Sequence, residues 1–284
     1  METLRSVAEI RRAVSSWRAT SERIGLVPTM GALHAGHMAL VAAARESCAR
    51  VVASLFVNPT QFGPNEDLSS YPRNEAGDAQ KLAAAGVDVL FAPDVSEMYG
   101  AGFSTSVKVA GMTEGLCGAF RPVHFEGVAT VVTKLLLQVL PDVAFFGEKD
   151  YQQLRMIERL VRDLDIPVRI EAVATVREKD GLAISSRNQY LSVAERKVAP
   201  ALYATLRSLA DRLAQSGKTG AAGAIEKAKG DLMEAGFSKI EYLELRDAAT
   251  LAPMTAPGRE ARLLAAAWLG KTRLIDNVAV SAGR

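Results

Sequence analysis

The chain has 284 residues, 49% of them apolar and 23% charged, which describes an ordinary globular protein with enough apolar material for a sizeable core and enough length for two domains. Its 34 basic and 32 acidic residues leave a formal charge of +2 without a block of like charges, so there is no electrostatic case for nucleic acid and any anionic ligand has to be met locally. Cys48 and Cys117 are too few and too far apart for a disulfide framework or a zinc site, and neither an apolar signal segment nor a membrane-length apolar run is present, so the expectation is a cytoplasmic chain with reduced thiols.

In chain order, apolar strand-like runs alternate with stretches of helical period. Residues 24–27 read as a strand, 36–49 as a helix, 51–57 as a strand, 74–85 as a helix and 87–91 as a strand. The pattern resumes with HFEGVATVVTKLLLQV as a helix, 143–146 as a strand, 151–164 as a helix and 168–176 as a strand, with Pro141 and Pro167 at the junctions. The strands are rich in Val, Leu and Phe without polar alternation, as expected of a parallel sheet covered by helices on both faces. After residue 176 the pattern changes to a loop, REKDGLAISSRNQYL, two Ala- and Lys-rich helical stretches over 192–236, and strands at IEYLELRD and RLLAAAWLG. The fold class expected is therefore α/β, with a doubly wound, Rossmann-like parallel sheet over residues 1–176 and a smaller α+β domain over 177–284. The Ala- and Gly-rich stretch 217–230 reads as a mobile surface.

The stretch PTMGALHAGH, residues 28–37, carries the first chemical signal. It leads from the carboxyl end of the first strand into a helix near Gly36, at the sheet edge where open α/β proteins bind ligands. A helix start offers unpaired N–H groups, and Gly31 and Gly36 let a phosphate approach the backbone. His34 and His37, three residues apart, face one side and can donate hydrogen bonds to growing phosphate charge. Neither the P-loop pattern nor GxGxxG follows the first strand, which disfavours a P-loop kinase or a dehydrogenase.

Two further segments add charge and amides. In FFGEKDYQQL a strand runs into Gly147, and Asp150 stands where a helix N-cap is wanted, with Lys149 and Gln153 close to that helix start. In AISSRN two hydroxyls and the planar donor fork of Arg187 suit a polyphosphate. Read singly, the first is also compatible with a capped, solvated helix and the second with a polar turn.

PTMGALHAGH, FVNPTQF, EDLSSYPR, RPVHFEGV, FGEKDYQQL and DGLAISSRN stand in an order and approximate spacing that resembles the pantothenate synthetase (pantoate:beta-alanine ligase) family, and YLELRDAATL and AAWLGKTRLIDN extend the likeness over nearly the whole chain. HAGH resembles the HIGH signature of the wider nucleotidyltransferase superfamily. The resemblance implies ATP-dependent ligation of pantoate and beta-alanine through a pantoyl adenylate, releasing pyrophosphate and AMP, with magnesium accompanying ATP and a homodimer as the assembly.

Carried over residue by residue, the resemblance makes His37 the catalytic histidine, with His34, Lys149 and Arg187 beside it. It implies ATP contacts at Met30, Gly31, Ala32, Leu33, His34, Ala35, Gly36 and His37, at Gly147, Glu148, Lys149 and Asp150, at Val176, and at Ile184, Ser185, Ser186 and Arg187. Gln61 and Gln153 match the amides that hold pantoate, Gln61 also facing beta-alanine, and an amide suits that work because it both accepts and donates without adding charge. Pro28, Met30, Phe62 and Val131 or Val132 are candidate walls for pantoate's methyl groups, and Tyr71 for the beta-alanine entrance. Thr60, Ala35 and Gly77 depart from residues frequent in the family, and the last leaves magnesium ligands near Asp78 open. Two other readings stay in view: an adenylyltransferase acting on a phosphorylated acceptor, which the two glutamines disfavour, and a nucleotide-binding module without turnover, which His34, His37, Lys149 and Arg187 argue against.

Overall fold

The structure, a computed structural model, describes residues 1–64, 66–216, 220–257 and 260–281. The elements run β1 (Glu2–Leu4), α1 (Val7–Ala19), β2 (Ile24–Thr29), α2 (Ala35–Ser47), β3 (Arg50–Leu55), α3 (Glu75–Ala84), β4 (Val89–Phe91), α4 (Val95–Met98), α5 (Cys117–Phe120), α6 (His124–Val139), β5 (Val143–Gly147), α7 (Tyr151–Asp163), β6 (Arg169–Val173), α8 (Val193–Val198), α9 (Ala201–Ser216), α10 (Ala222–Ala235), β7 (Lys239–Asp247), β8 (Ala261–Leu269) and β9 (Thr272–Val280). Short 3-10 turns occupy Pro59–Gln61, Glu148–Asp150 and Ser186–Tyr190.

Six parallel strands form the first sheet in the order β1-β4-β3-β2-β5-β6. Successive side chains alternate between its two faces. Ile24, Leu26, Val52, Phe91, Ala144 and Phe146 join a core with Ile10 and Val14 of α1, Val128 and Leu135 of α6, and Leu154 and Ile157 of α7. Val27, Val51, Ala53, Leu90, Val143 and Phe145 join a second core under Leu40, Val41 and Ala44 of α2 and Leu82 of α3. Each fully buried Val, Leu or Phe contributes about 1.5–3 kcal/mol relative to exposure, so sequestering both faces is what holds the sheet. The chain adds strands outward from β2 on one side and then returns to start β5 on the other, which opens a crevice beyond the carboxyl ends of β2 and β5.

The second sheet is antiparallel, β7-β8-β9, with helices on one side. Leu263, Ala265 and Ala267 of β8 pack with Leu206, Leu209 and Leu232 of α9 and α10, whereas Leu264 and Ala266 face the other way and join the core of the first sheet. Both cysteines are buried free thiols. Among the described residues no helix is long and apolar enough to cross a membrane.

The α/β expectation matches the observed layers, and α6 occupies the whole HFEGVATVVTKLLLQV segment. Strand β6 is shorter than the expected 168–176, ending at Val173. Helices α1, α4 and α5 and strands β1 and β9 were not anticipated. Helix α1 begins at a capping box in which Ser6 accepts from Glu9 N and Glu9 accepts from the Ser6 N–H, a pattern present in SVAE but lost among its charged residues. Strand β1 is three residues long, and β9, TRLIDNVAV, carries its polar residues as two adjacent pairs, Thr272–Arg273 and Asp276–Asn277. Of the stretch expected to be mobile, 217–219 lie outside the described residues and the chain is helical from Ala222.

Candidate active site

The turn after β2 passes through two consecutive left-handed residues, Gly31 (φ 84°) and Ala32 (φ 51°), before His34 caps α2. The cap is built from both histidines. Gly36 N donates to His34 Nδ1 at 3.1 Å, and His34 N donates to His37 Nδ1 at 3.3 Å. A nitrogen that accepts an N–H carries no proton of its own, so both neutral rings hold their proton on Nε2. Burial comes first in lowering the His34 pKa to about 4 and the His37 pKa to about 3, with the Lys149 and neighbouring His34 charges adding to it respectively. Both rings are therefore neutral donors near pH 7, with centroids 4.1 Å apart. A Cβ at position 36 would stand 2.9 Å from Cε1 of the His34 ring, so a larger residue there would push the capping ring aside.

Asp78 of α3 supports this turn from below. It is 1% exposed, accepts from Leu33 N at 2.9 Å and lies 3.5 Å from Lys81, whose ammonium donates to Leu33 O at 2.8 Å. Only Oδ1 is engaged under the turn; Oδ2 faces the space beside Gly31, buried and without a hydrogen-bond partner among the described residues.

The two histidines line a cavity of about 240 Å³ at the sheet crevice. Met30, Gly36, Gly147, Lys149, Asp150 and Val176 line it as well, together with Ile184, Ser185, Ser186 and Arg187. Ile184 N donates to Val176 O at 3.0 Å, which brings those two segments together. Gln61 and Gln153 reach the same cavity, as do Pro28, Phe62, Tyr71, Val131 and Val132. Five residues implied by resemblance stand outside its wall. Gly31, Ala32 and Leu33 form the underside of the turn, with Leu33 buried in the core. Ala35 is exposed on α2, and Glu148 turns towards Arg262 at 3.4 Å.

Gln61 is 7% exposed and held from two directions: Asn58 Nδ2 donates to its Oε1 at 3.1 Å, and its own Nε2 meets Met30 Sδ at 3.0 Å. Asn58 in turn bonds Gly127 O at 3.1 Å and receives the Tyr99 hydroxyl at 2.7 Å. The close approach of the Pro59–Gln61 turn to α6 requires Gly127, since a Cβ there would fall 2.5 Å from the Thr60 carbonyl. His124 Nδ1 lies 3.0 Å from Gln61 O, and a carbonyl can only accept, so Nδ1 carries the proton and Nε2 keeps its lone pair. Burial first, and then the Arg121 charge, lowers its pKa to about 3.

Asp150 occupies the N-cap position of α7 but makes no side-chain cap hydrogen bond. The preceding 3-10 turn runs directly into the helix, and the carboxylate lies 3.8 Å from the Lys149 ammonium instead. Desolvation alone would raise its pKa, but Lys149 and Arg187 hold it below the ordinary value. Arg187 engages Asp67 with both Nε (3.2 Å) and Nη2 (2.9 Å). A larger cavity, about 560 Å³, lies against β8 and β9 and shares Arg121, His124, Lys149, Asp150, Gln153 and Arg187 with the first.

The sequence reading did not single out Asn58, Arg121 or His124, although all three sit in motifs already noted, FVNPTQF and RPVHFEGV. Asn58 is three residues from Gln61 and meets it locally, whereas Arg121 and His124 reach it because α6 packs on the 59–61 turn, a contact between segments about sixty residues apart. Among the described residues no group of three or more His, Cys, Asp or Glu side chains could hold a metal ion by itself.

The family described as pantoate-beta-alanine ligase matches residues 2–279. A pantothenate synthetase of Paramagnetospirillum magneticum is 59% identical over 277 residues, covering 98% of this chain and 97% of that protein. The crystal structure of pantothenate synthetase from Thermus thermophilus superimposes with a TM-score of 0.92 at 48% identity, covering 99% of both chains. The pantoate-beta-alanine ligase of Francisella tularensis, complexed with beta-gamma ATP and beta-alanine, gives 0.82 at 34% identity, covering 98% of this chain and 97% of that one. With the match running almost end to end, this chain belongs to the pantoate-beta-alanine ligase family.

Proposed function

We propose that this enzyme joins pantoate to beta-alanine in two steps, through a pantoyl adenylate. In the first, a pantoate carboxylate oxygen attacks the α-phosphorus of ATP and pyrophosphate leaves. In the second, the beta-alanine amine attacks the acyl carbon, AMP leaves with the bonding electrons of the acyl–oxygen bond, and the amine loses a proton to give pantothenate. A carboxylate is a poor electrophile until its oxygen becomes a good leaving group, which is the chemical reason for the adenylate.

The observation that carries this reading is the pair of neutral Nε2–H donors of His34 and His37 in one cavity with Gln61 and Gln153. Neutral imidazoles donate to phosphate oxygens without needing protonation, so they serve the charge that grows as pyrophosphate departs. We assign Lys149 and Arg187 to neutralising the phosphates and Ser185 and Ser186 to hydrogen-bonding them. Met30, Gly36, Gly147 and Asp150, together with Val176 and Ile184, complete the ATP site, with Gly31, Ala32 and Leu33 shaping the turn behind it. The two glutamine amides hold pantoate's hydroxyl and carboxylate against the apolar wall of Pro28, Phe62, Val131 and Val132. Asp150, a carboxylate lining the cavity, would hold a magnesium ion carried by ATP, since such an ion needs only one or two carboxylates beside phosphate and water, and the ion would supply positive charge at the phosphates.

We further assign residues 1–176 to ATP and pantoate and residues 177–284 to a domain that covers the site, with the loop around Arg187 excluding water from the mixed anhydride. The cytoplasm as location and a homodimer as assembly complete the reading. The test is pantoate-dependent exchange of labelled pyrophosphate into ATP, followed by AMP release on adding beta-alanine. Absence of exchange with pantoate present would overturn it.

A further inference from the structure

Asn277 lies on β9, next to Ile275 on the face turned towards the first sheet rather than towards α9 and α10, and it is 5% exposed. Its side chain meets the backbone on which Lys149 is mounted. Asn277 Nδ2 donates to Glu148 O at 2.9 Å and to Lys149 O at 3.0 Å, so both amide protons engage consecutive carbonyls of one turn. Its Oδ1 accepts from Arg262 Nη1 at 2.7 Å. The orientation is dictated by chemistry, because a guanidinium can only donate and a carbonyl can only accept.

The pieces around it are equally committed. Arg262 lies over the Tyr151 ring at 3.8 Å, at the first residue of α7. Asp276, 4% exposed, forms a bidentate pair with Arg177 at 2.6 and 2.8 Å and accepts the Asn277 N–H at 2.7 Å. No side chain of their own caps either the Glu148–Asp150 turn or the start of α7. The position of that turn is thus set from the carboxyl-terminal sheet, through one carboxamide held in place by Arg262 and Asp276.

We infer that Asn277 is a positioning residue: it clamps the Glu148–Lys149 backbone and so fixes the Lys149 ammonium relative to His34 and His37. The inference rests on the proposed role of Lys149 at the phosphates. It makes adenylation depend on docking of the second sheet, since the clamp exists only while β9 lies against the β5–α7 turn. A small displacement of a charge that stabilises departing pyrophosphate costs about tenfold to a hundredfold in rate.

The experiment uses the full chain with Asn277→Ala and with Asn277→Asp, which keeps the shape but opposes the two carbonyls with oxygens. Each is assayed for pyrophosphate exchange well below its melting temperature, alone and combined with Lys149→Ala, while hydrogen exchange is followed over residues 148–153. Expected is a loss of about tenfold or more in exchange rate for both single variants, falling to less than about twofold in the Lys149→Ala background. Faster hydrogen exchange over 148–153 is expected in both. Equal fold-losses in the two backgrounds would reveal general destabilisation and overturn the inference, as would unchanged protection of 148–153. If the wild-type chain shows no pantoate-dependent exchange, the functional reading falls, and the hydrogen-exchange comparison still decides whether the clamp exists.

Discussion

His34 and His37 cap the same helix reciprocally: His34 Nδ1 takes the Gly36 N–H, His37 Nδ1 takes the His34 N–H, and the rings sit 4.1 Å apart. The arrangement commits each ring to one tautomer before any ligand arrives. It also explains why two histidines can be close together without repelling, since each is neutral.

Replacing His37 by Ala removes one of these donors and leaves His34 N without its side-chain acceptor. The adenylation rate is expected to fall about a hundredfold or more, with little change in pantoate affinity. Pyrophosphate exchange and equilibrium binding of pantoate measure the two separately, and an unaltered turnover number would remove His37 from the proposed chemistry.

The pH dependence of stability follows from the same burial. The pKa values of His34, His37 and His124 are lowered from 6.5 to about 4, about 3 and about 3. Between 6.5 and those values the unfolded chain binds protons that the folded chain does not, so folding is favoured by raising the pH and weakened as the pH drops from about 6.5 towards 4. Thermal melts are expected to show a midpoint that declines over that window, with a shallower decline in His124→Gln. A midpoint independent of pH across the window would show that the three rings titrate normally in the folded chain.

Gln153→Ala is expected to raise the pantoate concentration for half-saturation about tenfold or more, from the loss of one hydrogen-bonding amide lining the cavity. Asn58→Leu is expected to do the same without touching pantoate in the proposed site, because Asn58 Nδ2 is what fixes the Gln61 amide. Saturation curves matching wild type for Asn58→Leu would mean that Gln61 is oriented by Met30 and packing alone.

Arg187 is engaged by Asp67 in a two-point contact that a phosphate would have to displace. Asp67→Asn weakens the competitor, so ATP is expected to bind roughly two- to tenfold more tightly, a modest range because both side chains are partly solvated. Calorimetric titration with ATP reads the change. Weaker binding would assign Asp67 to holding Arg187 in its productive place.

The sequence by itself determined the layer plan and the histidine turn at the start of α2. Apolar runs without alternation demanded a sheet covered on both faces, and the helical period of residues 124–139 was strong enough to give α6 its full length. Gly31, His34, Gly36 and His37 lie within seven residues, so their meeting at the start of α2 is a local event that the chain writes directly.

Tertiary structure decided everything that joins distant segments. Gln61 faces the histidines because Gly127 admits the 59–61 turn onto α6, and its amide is aimed by Asn58, whose own partners lie on α6 and beside α4. The histidine tautomers depend on hydrogen bonds and their low pKa values on burial, and neither burial nor partner is visible in a residue's identity. Asn277 reads in the sequence as one polar residue among several in TRLIDNVAV, with nothing to mark its partner. Its two bonds to the Glu148 and Lys149 carbonyls exist only because β9 packs with that face against the β5–α7 turn, nearly 130 positions away in the chain.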